Sequence, residues 1–230
     1  MAKYSALMFD FDDTLVDTAP GKQEAYRRVA RLIHSEADGN VSPEELIKQI
    51  SRISEEMNRR RAYSRDEWWR ILAREHGLSV TKHLELRATV AYWTSFRQHT
   101  QLYPDTLTVL KAIKAHGIPL GVVTDTDGWV GIKRWRLRTS PIFEYFDAVV
   151  IAGEDTRRTK PDTKPFNLCA ERLGVRPQDV LFVGDKPYTD IVGAKSAGMS
   201  AALVKRREWG DVMGADYVIE SLSPILEVLR

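Results

Sequence analysis

Two aspartates, Asp10 and Asp12, stand two residues apart at the end of a short apolar run. In an extended chain, side chains with this spacing point to the same side of the strand. Asp13, Thr14 and Asp17 follow closely. Burying such carboxylates together is costly without a cation, and a hard metal ion with oxygen ligands, such as Mg²⁺, relieves the repulsion. Taken alone, the pair fits an acid-rich, solvent-exposed turn equally well.

A calcium-binding EF-hand loop begins in a similar way, with acidic or amide residues at alternating positions. It also needs glycine at the centre of the loop and a glutamate at its end. Leu15 and Gly21 occupy those two positions here. The sequence therefore excludes an EF-hand.

Three later segments carry groups that phosphoryl transfer needs. Thr124 ends an apolar run and precedes Asp125, Lys160 precedes a proline, and Asp185 and Asp190 follow another apolar run. A hydroxyl and a lysine can hold phosphate oxygens, and acidic residues can hold the metal. Each group alone has a simpler explanation: a strand end, a surface lysine or a turn. Their combination and order favour a phosphate site.

Short apolar runs are predicted to form the strands that position these groups. The runs are 6–11, 119–124, 148–151, 180–183, 201–204 and 217–219. They do not alternate polar with apolar residues, as expected for strands buried on both faces of a parallel sheet. Helical patterns lie between them at 106–116, 164–173 and 190–197. Alternating strands and helices predict an α/β fold built from βαβ units.

The segment from about residue 20 to residue 102 interrupts this alternation. Its pattern predicts helices at 21–35, 43–62, 65–76 and 82–101 and no strand. Its large aromatic residues are expected mainly in a helical core; they are Trp68, Trp69, Tyr92 and Trp93. The run Arg59-Arg60-Arg61 is expected on a solvated helix face.

Together these motifs resemble the haloacid dehalogenase superfamily, most of whose members are phosphatases. The segment 9–15 is similar to the first motif, Thr124 to the second, Lys160-Pro161 to the third and 184–190 to the fourth. The resemblance implies a Rossmann-like parallel-sheet core formed by 1–18 and 103–230. It implies an inserted all-helical cap formed by 19–102, which should select the substrate.

The resemblance also implies a role for each residue. Asp10 is the nucleophile that forms an aspartyl-phosphate, and Asp12 is the general acid and base. Thr124 and Lys160 bind and stabilise the phosphoryl group. Mg²⁺ is bound by Asp10, the main-chain carbonyl of Asp12 and Asp185, and Asp190 supports the metal site.

Two positions refine the expected reaction. Dehalogenases of this superfamily lack the second acid of the first motif, so Asp12 favours cleavage of a phosphate ester. A phosphomutase similar to β-phosphoglucomutase keeps both acids and stays an alternative. Asp125 stands where related phosphatases often have asparagine or serine, and we interpret it as a substrate-binding residue.

The composition sets the remaining expectations. The 230 residues include 34 basic and 32 acidic side chains, and the net charge of +2 gives no reason to expect nucleic acid or an acidic membrane as partner. The single cysteine, Cys169, is expected to be a buried, unreactive thiol in a reducing compartment. We expect a cytoplasmic monomer or homodimer that acts on a small phosphorylated substrate.

Overall fold

The structure, a computed structural model, describes residues 3–37 and 39–228. Over these residues the chain forms an α/β sheet region and a separate group of helices. No helix in the described ranges combines the length and the apolar composition that crossing a bilayer demands.

The chain divides into two compact units. The first contains the chain up to Asp17, Leu102–Thr126 and the chain from Lys133 onward. The second contains Thr18–Gln101 and Asp127–Ile132. The second unit thus takes in a short segment that follows Thr126, in addition to a stretch that resembles the expected insertion.

The first unit is built on a parallel sheet. In chain order the strands are β1 (Ala6–Phe9), β2 (Val16–Asp17), β3 (Gln101–Leu102), β4 (Leu120–Asp125), β5 (Ala148–Ala152), β6 (Val180–Gly184), β7 (Ser200–Val204) and β8 (Tyr217–Ile219). Six of them form one sheet in the order β5-β4-β1-β6-β7-β8, and every pairing in it is parallel. The six predicted strands and the α/β fold are confirmed.

Helices cover both faces of this sheet. They are α5 (Thr106–Ala115), α6 (Ile132–Arg138), α7 (Thr163–Leu173), α8 (Val192–Ser196) and α9 (Ile225–Val228). Along β1, Leu7 and Phe9 belong to one buried apolar cluster, whereas Ala6 and Met8 belong to another. Helices α5 and α9 contribute to the first cluster, and α7 and α8 to the second. Alternate residues of one strand therefore serve two layers of core, as in a doubly wound fold.

The second unit has its own core. Its helices are α1 (Ala19–Glu36), α2 (Pro43–Arg59), α3 (Arg65–His76) and α4 (Lys82–His99). The hydroxyl of Ser42 accepts a hydrogen bond from the amide of Glu45 at the start of α2, and Thr81 caps α4 in the same way. The aromatic residues singled out above are buried at this core, and Arg59-Arg60-Arg61 is exposed, as expected.

Cys169 lies in the apolar cluster beneath α7 and is fully buried. Burial raises the pKa of its thiol to about 12. The thiolate that would act as a nucleophile is therefore disfavoured at neutral pH, in agreement with the expectation of an unreactive side chain.

Candidate active site

The predicted site residues gather where the central strands end. Asp10 directly follows β1, Thr124 lies at the end of β4, and Asp185 directly follows β6. The amide of Asp10 donates a 2.9 Å hydrogen bond to the carbonyl of Val183 on the neighbouring strand. Because β1 lies between β4 and β6, these three residues meet at the carboxyl ends of adjacent central strands. Parallel α/β sheets usually bind their ligands there. All three site side chains are at most 2% exposed.

Lys160 joins two of the acidic residues. Its Nζ lies 2.7 Å from Asp10 Oδ1, 2.7 Å from Asp190 Oδ1 and 3.3 Å from the carbonyl oxygen of Val123. The lysine side chain is only 2% exposed, so its charge is neutralised by these carboxylates and not by water. Lys160 therefore fixes the positions of both Asp10 and Asp190.

Asp125 supports this lysine from the end of β4. Its Oδ1 accepts a 2.9 Å hydrogen bond from the backbone amide of Lys160. The structure thus gives the Asp125 carboxylate a contact within the protein that orients the Lys160 segment. The predicted contact between Asp125 and substrate stays a prediction.

Three buried carboxylates converge beside Lys160. Among the described residues, Asp10, Asp185 and Asp190 form a group whose oxygens all lie within 4.8 Å of one another. Asp185 Oδ1 accepts a 3.4 Å hydrogen bond from Thr14, whereas its buried Oδ2 accepts none within the described part of the chain. An all-oxygen set with an unsatisfied carboxylate oxygen fits a hard divalent cation such as Mg²⁺.

The charges of this cluster perturb one another. Burial raises the pKa of Asp185 to about 7, and the nearby negative charges of Asp190 and Asp10 raise it against the opposing Lys186. Burial also raises the pKa of Asp10, although Lys160 opposes the shift. Burial alone lowers the pKa of Lys160, but Asp10 and Asp190 raise it above its ordinary value. Lys160 therefore stays charged, but its charge does not fully offset the negative charges of the three carboxylates. A bound metal ion would supply the additional positive charge.

The approach of Asp190 depends on a glycine. The chain after β6 makes a π-helical turn at Pro187–Ile191, and Asp190 Oδ2 accepts a 3.0 Å hydrogen bond from the amide of Lys186. A Cβ atom placed on Gly184 would lie 2.5 Å from the Cβ of Asp190. Only glycine at this strand end allows Asp190 to reach Lys160.

The side chain of Asp12 has different partners. Its Oδ2 accepts hydrogen bonds from Lys133 Nζ and from Arg136 Nη1, the latter at 3.0 Å, and its Oδ1 accepts one from Arg136 Nη2. Although burial alone raises the pKa of this carboxyl, Arg136 and Lys133 hold it well below its usual range. The Asp12 carboxylate is not part of the three-carboxylate group. The expected metal contact through the main-chain carbonyl of Asp12 stays a prediction.

A sequence model of the haloacid dehalogenase-like hydrolases matches residues 4–198 of this chain. The chain belongs to this family. The matched range contains all the site residues described above, from the strand that precedes Asp10 to the helix after Asp190. The predicted superfamily is therefore confirmed.

Similar proteins extend over nearly the whole chain. A glyceraldehyde 3-phosphate phosphatase of Methanopyrus kandleri is 30% identical, covering 98% of this chain and 97% of its own. A phosphoglycolate phosphatase of Shigella boydii is 31% identical, covering 96% and 90%. The crystal structure of a Thermotoga maritima protein, proposed to be a β-phosphoglucomutase, is 27% identical with a TM-score of 0.78, covering 98% of each chain.

The sequence interpretation of this hydrolase missed two residues of the site. Lys133 and Arg136 lie on α6, which follows the second motif, and both side chains are buried. Their spacing of three places them on one face of the helix. That spacing was the available signal, but a basic helix face is usually exposed to solvent, and nothing local in the sequence identifies its partner.

Mg²⁺ binding should release a proton. Below about pH 7 the metal-free protein holds a proton on Asp185, which the metal must displace, so apparent affinity should weaken by up to about tenfold per pH unit below 7. Over the same range the folded state binds more protons than the unfolded state, so stability without Mg²⁺ should fall as pH rises from about 4 to about 7. Calorimetric titration in buffers of different ionisation enthalpy measures the proton release. An Mg²⁺ affinity independent of pH would contradict the expectation, and Asp185→Asn should reduce the number of protons released.

Gly184→Ala should disturb the site from within the sheet. The added methyl group overlaps Asp190, whose displacement removes a partner of Lys160. We expect a stability loss of about 1–3 kcal/mol and weaker Mg²⁺ binding. Thermal unfolding with and without Mg²⁺ measures both effects. Gly174→Ala is the control for replacing a glycine by alanine without a steric overlap, because nothing lies near its Cβ position at the end of α7. This variant should leave Mg²⁺ binding intact. Equal Mg²⁺ binding in the two variants would refute this role of Gly184.

Proposed function

We propose that this protein is a Mg²⁺-dependent phosphatase that hydrolyses a small phosphorylated metabolite through an aspartyl-phosphate on Asp10. The observation that carries the proposal is the position of Asp10. Its carboxylate lies at the end of the central strand, with the Lys160 ammonium 2.7 Å from one oxygen and two further buried carboxylates beside it. A nucleophile, a fixed cation and a set of metal ligands at one point are the components of phosphoryl transfer.

In the first step a carboxylate oxygen of Asp10 attacks the phosphorus atom. The bond between phosphorus and the ester oxygen breaks, and the departing oxygen takes a proton from the Asp12 carboxyl group to leave as an alcohol. Lys160, with the Thr124 hydroxyl, holds the phosphoryl oxygens during transfer. Asp10, Asp185 and Asp190, with the main-chain carbonyl of Asp12, would hold Mg²⁺, which would supply positive charge against the phosphate.

In the second step water attacks the aspartyl-phosphate and gives its proton to Asp12. The bond between phosphorus and Asp10 breaks, which releases inorganic phosphate and regenerates the carboxylate. The low pKa of Asp12 in the free protein corresponds to the form that accepts this proton. Its acid form in the first step is favoured when the negative phosphate of the substrate is bound, because nearby negative charge raises a carboxyl pKa.

The relatives support a small substrate. The two phosphatases described above are named for a three-carbon and a two-carbon phosphate ester. Both align with this chain over almost its full length, so the same architecture serves both compounds. We therefore propose a short phosphorylated metabolite as the substrate class.

A phosphomutase is the second candidate function. It is favoured by the likeness to the Thermotoga maritima protein, which has the TM-score of 0.78. A mutase uses the same nucleophile and the same acid and base, but it transfers the phosphoryl group back to a sugar and not to water. The geometry of the three carboxylates and Lys160 serves either reaction.

Asp10→Asn should abolish phosphatase activity. The amide removes the nucleophilic oxygen while keeping the size of the side chain, so kcat for p-nitrophenyl phosphate with Mg²⁺ should fall by at least about 10⁴-fold. Circular dichroism should show an unchanged fold. Asp216→Asn, at a surface carboxylate paired with Lys195, is a matched control that should keep the activity. Turnover by folded Asp10→Asn at the wild-type rate would contradict the mechanism.

Product analysis separates the phosphatase from the mutase. Incubated with β-glucose 1-phosphate, Mg²⁺ and a trace of the 1,6-bisphosphate, a phosphatase releases free phosphate, whereas a mutase yields glucose 6-phosphate. We expect release of phosphate, and short esters such as phosphoglycolate should be hydrolysed with higher kcat/KM. Accumulation of glucose 6-phosphate without free phosphate would favour the mutase.

A further inference from the structure

Two cations on one helix hold the carboxylate of Asp12. Lys133 and Arg136 occupy one face of α6, and their side chains are 5% and 2% exposed. Arg136 uses two nitrogens, one on each carboxylate oxygen, and Lys133 adds a contact to Oδ2. The side chain of Asp12 is 18% exposed, so it lies at the margin of this buried pair.

This arrangement fixes the direction of the carboxylate. The direction of an aspartate carboxylate is set by two side-chain torsions, so without contacts the Asp12 carboxylate could adopt several orientations. A two-pronged contact with a planar guanidinium specifies the plane of the carboxylate, which a single point charge does not. Lys133 then fixes which oxygen lies toward the helix.

The contacts leave a defined position open on the carboxylate. A carboxylate accepts about four hydrogen bonds, and three are filled by Lys133 and Arg136. Oδ2 has two donors and Oδ1 has one. Within the described residues the remaining acceptor position therefore lies on Oδ1, which singles out one atom of Asp12 for exchanging a proton with the ester oxygen or with water.

We propose that Lys133 and Arg136 are positioning residues of the reaction, which hold Asp12 so that its Oδ1 faces the departing oxygen. The inference rests on the proposed function, since it concerns the proton that leaves and enters through Asp12. A proton donor must lie within hydrogen-bond reach of the atom it serves, so fixing the donor beforehand lowers the barrier. Neither residue touches the substrate in this role.

A comparison of leaving groups tests this role. The oxygen of p-nitrophenyl phosphate departs readily as an anion, whereas that of phenyl phosphate needs a proton. In Arg136→Gln, kcat/KM for phenyl phosphate should therefore fall about 10–100-fold further than kcat/KM for p-nitrophenyl phosphate. Lys133→Gln should change the ratio in the same direction. Arg136→Lys, which keeps the charge without the two-pronged contact, should give an intermediate ratio.

Arg134 provides the matched control. It lies on the same helix and carries the same charge, but it pairs with Asp155 at 2.7 Å and not with Asp12. Arg134→Gln should keep the wild-type ratio between the two esters. If Arg136→Gln does not fold, Lys133→Gln and Arg136→Lys carry the test.

The outcomes separate the two proposals. A wild-type ratio in folded Arg136→Gln and Lys133→Gln overturns the positioning role and leaves the phosphatase proposal intact. A wild-type protein that hydrolyses neither ester contradicts the phosphatase proposal and the positioning role with it. A shift of the ratio in both variants, with none in Arg134→Gln, supports the positioning role, because a merely structural defect lowers both kcat/KM values alike.

Discussion

The site depends on placing three carboxylates close together in a buried position. Asp10, Asp185 and Asp190 are each at most 1% exposed, so water cannot screen their repulsion. Lys160 offsets part of it through Asp10 and Asp190, whereas Asp185 keeps a raised pKa and a buried oxygen without a hydrogen-bond partner in the described residues. The three carboxylates are therefore only partly neutralised by the described residues, which is the electrostatic basis of the proposed Mg²⁺ binding.

The sheet makes this crowding possible. Strands β1 and β6 are paired in register, with Phe9 opposite Val183, so the residues that follow them emerge side by side. Gly184 then removes the one side chain that would keep Asp190 away. Lys160 comes from a loop after β5, and the amide of its own backbone is held by Asp125 at the end of β4. Asp10 and Asp185 each follow a strand directly, so the sheet itself sets where these two carboxylates lie.

Sequence reasoning predicted the parts of this structure that have a local signature. Buried strands gave uninterrupted apolar runs, and helices such as α2 gave a capping serine and a regular apolar face, so their positions were predicted closely. Asp10, Lys160, Asp185 and Asp190 could be chosen as candidate site residues because each follows or precedes a recognisable element. The partners of Asp12 could not, because they are 121 and 124 residues away in the chain, and such a pairing exists only after the sheet has formed. Asp125 was interpreted from its position next to Thr124 as a substrate-binding residue, which stays a prediction. The hydrogen bond that its carboxylate accepts from the backbone amide of Lys160 had no signal in the sequence.

The two aspartates of the first motif illustrate how neighbouring residues acquire different chemistry. Asp10 and Asp12 are the same residue type two positions apart, yet the pKa of one is raised and that of the other is lowered. Burial raises the pKa of Asp10, and Lys160 and Lys186 only partly offset the rise, to which Asp190 adds. Asp12 has two cations of its own on α6 and is ionised without any metal. In the metal-free protein the two pKa values are thus separated in the opposite order to the usual one, in which the proton donor has the higher pKa. In this chain the division is made by the elements that supply the cations, because the loop before α7 serves Asp10 and α6 serves Asp12.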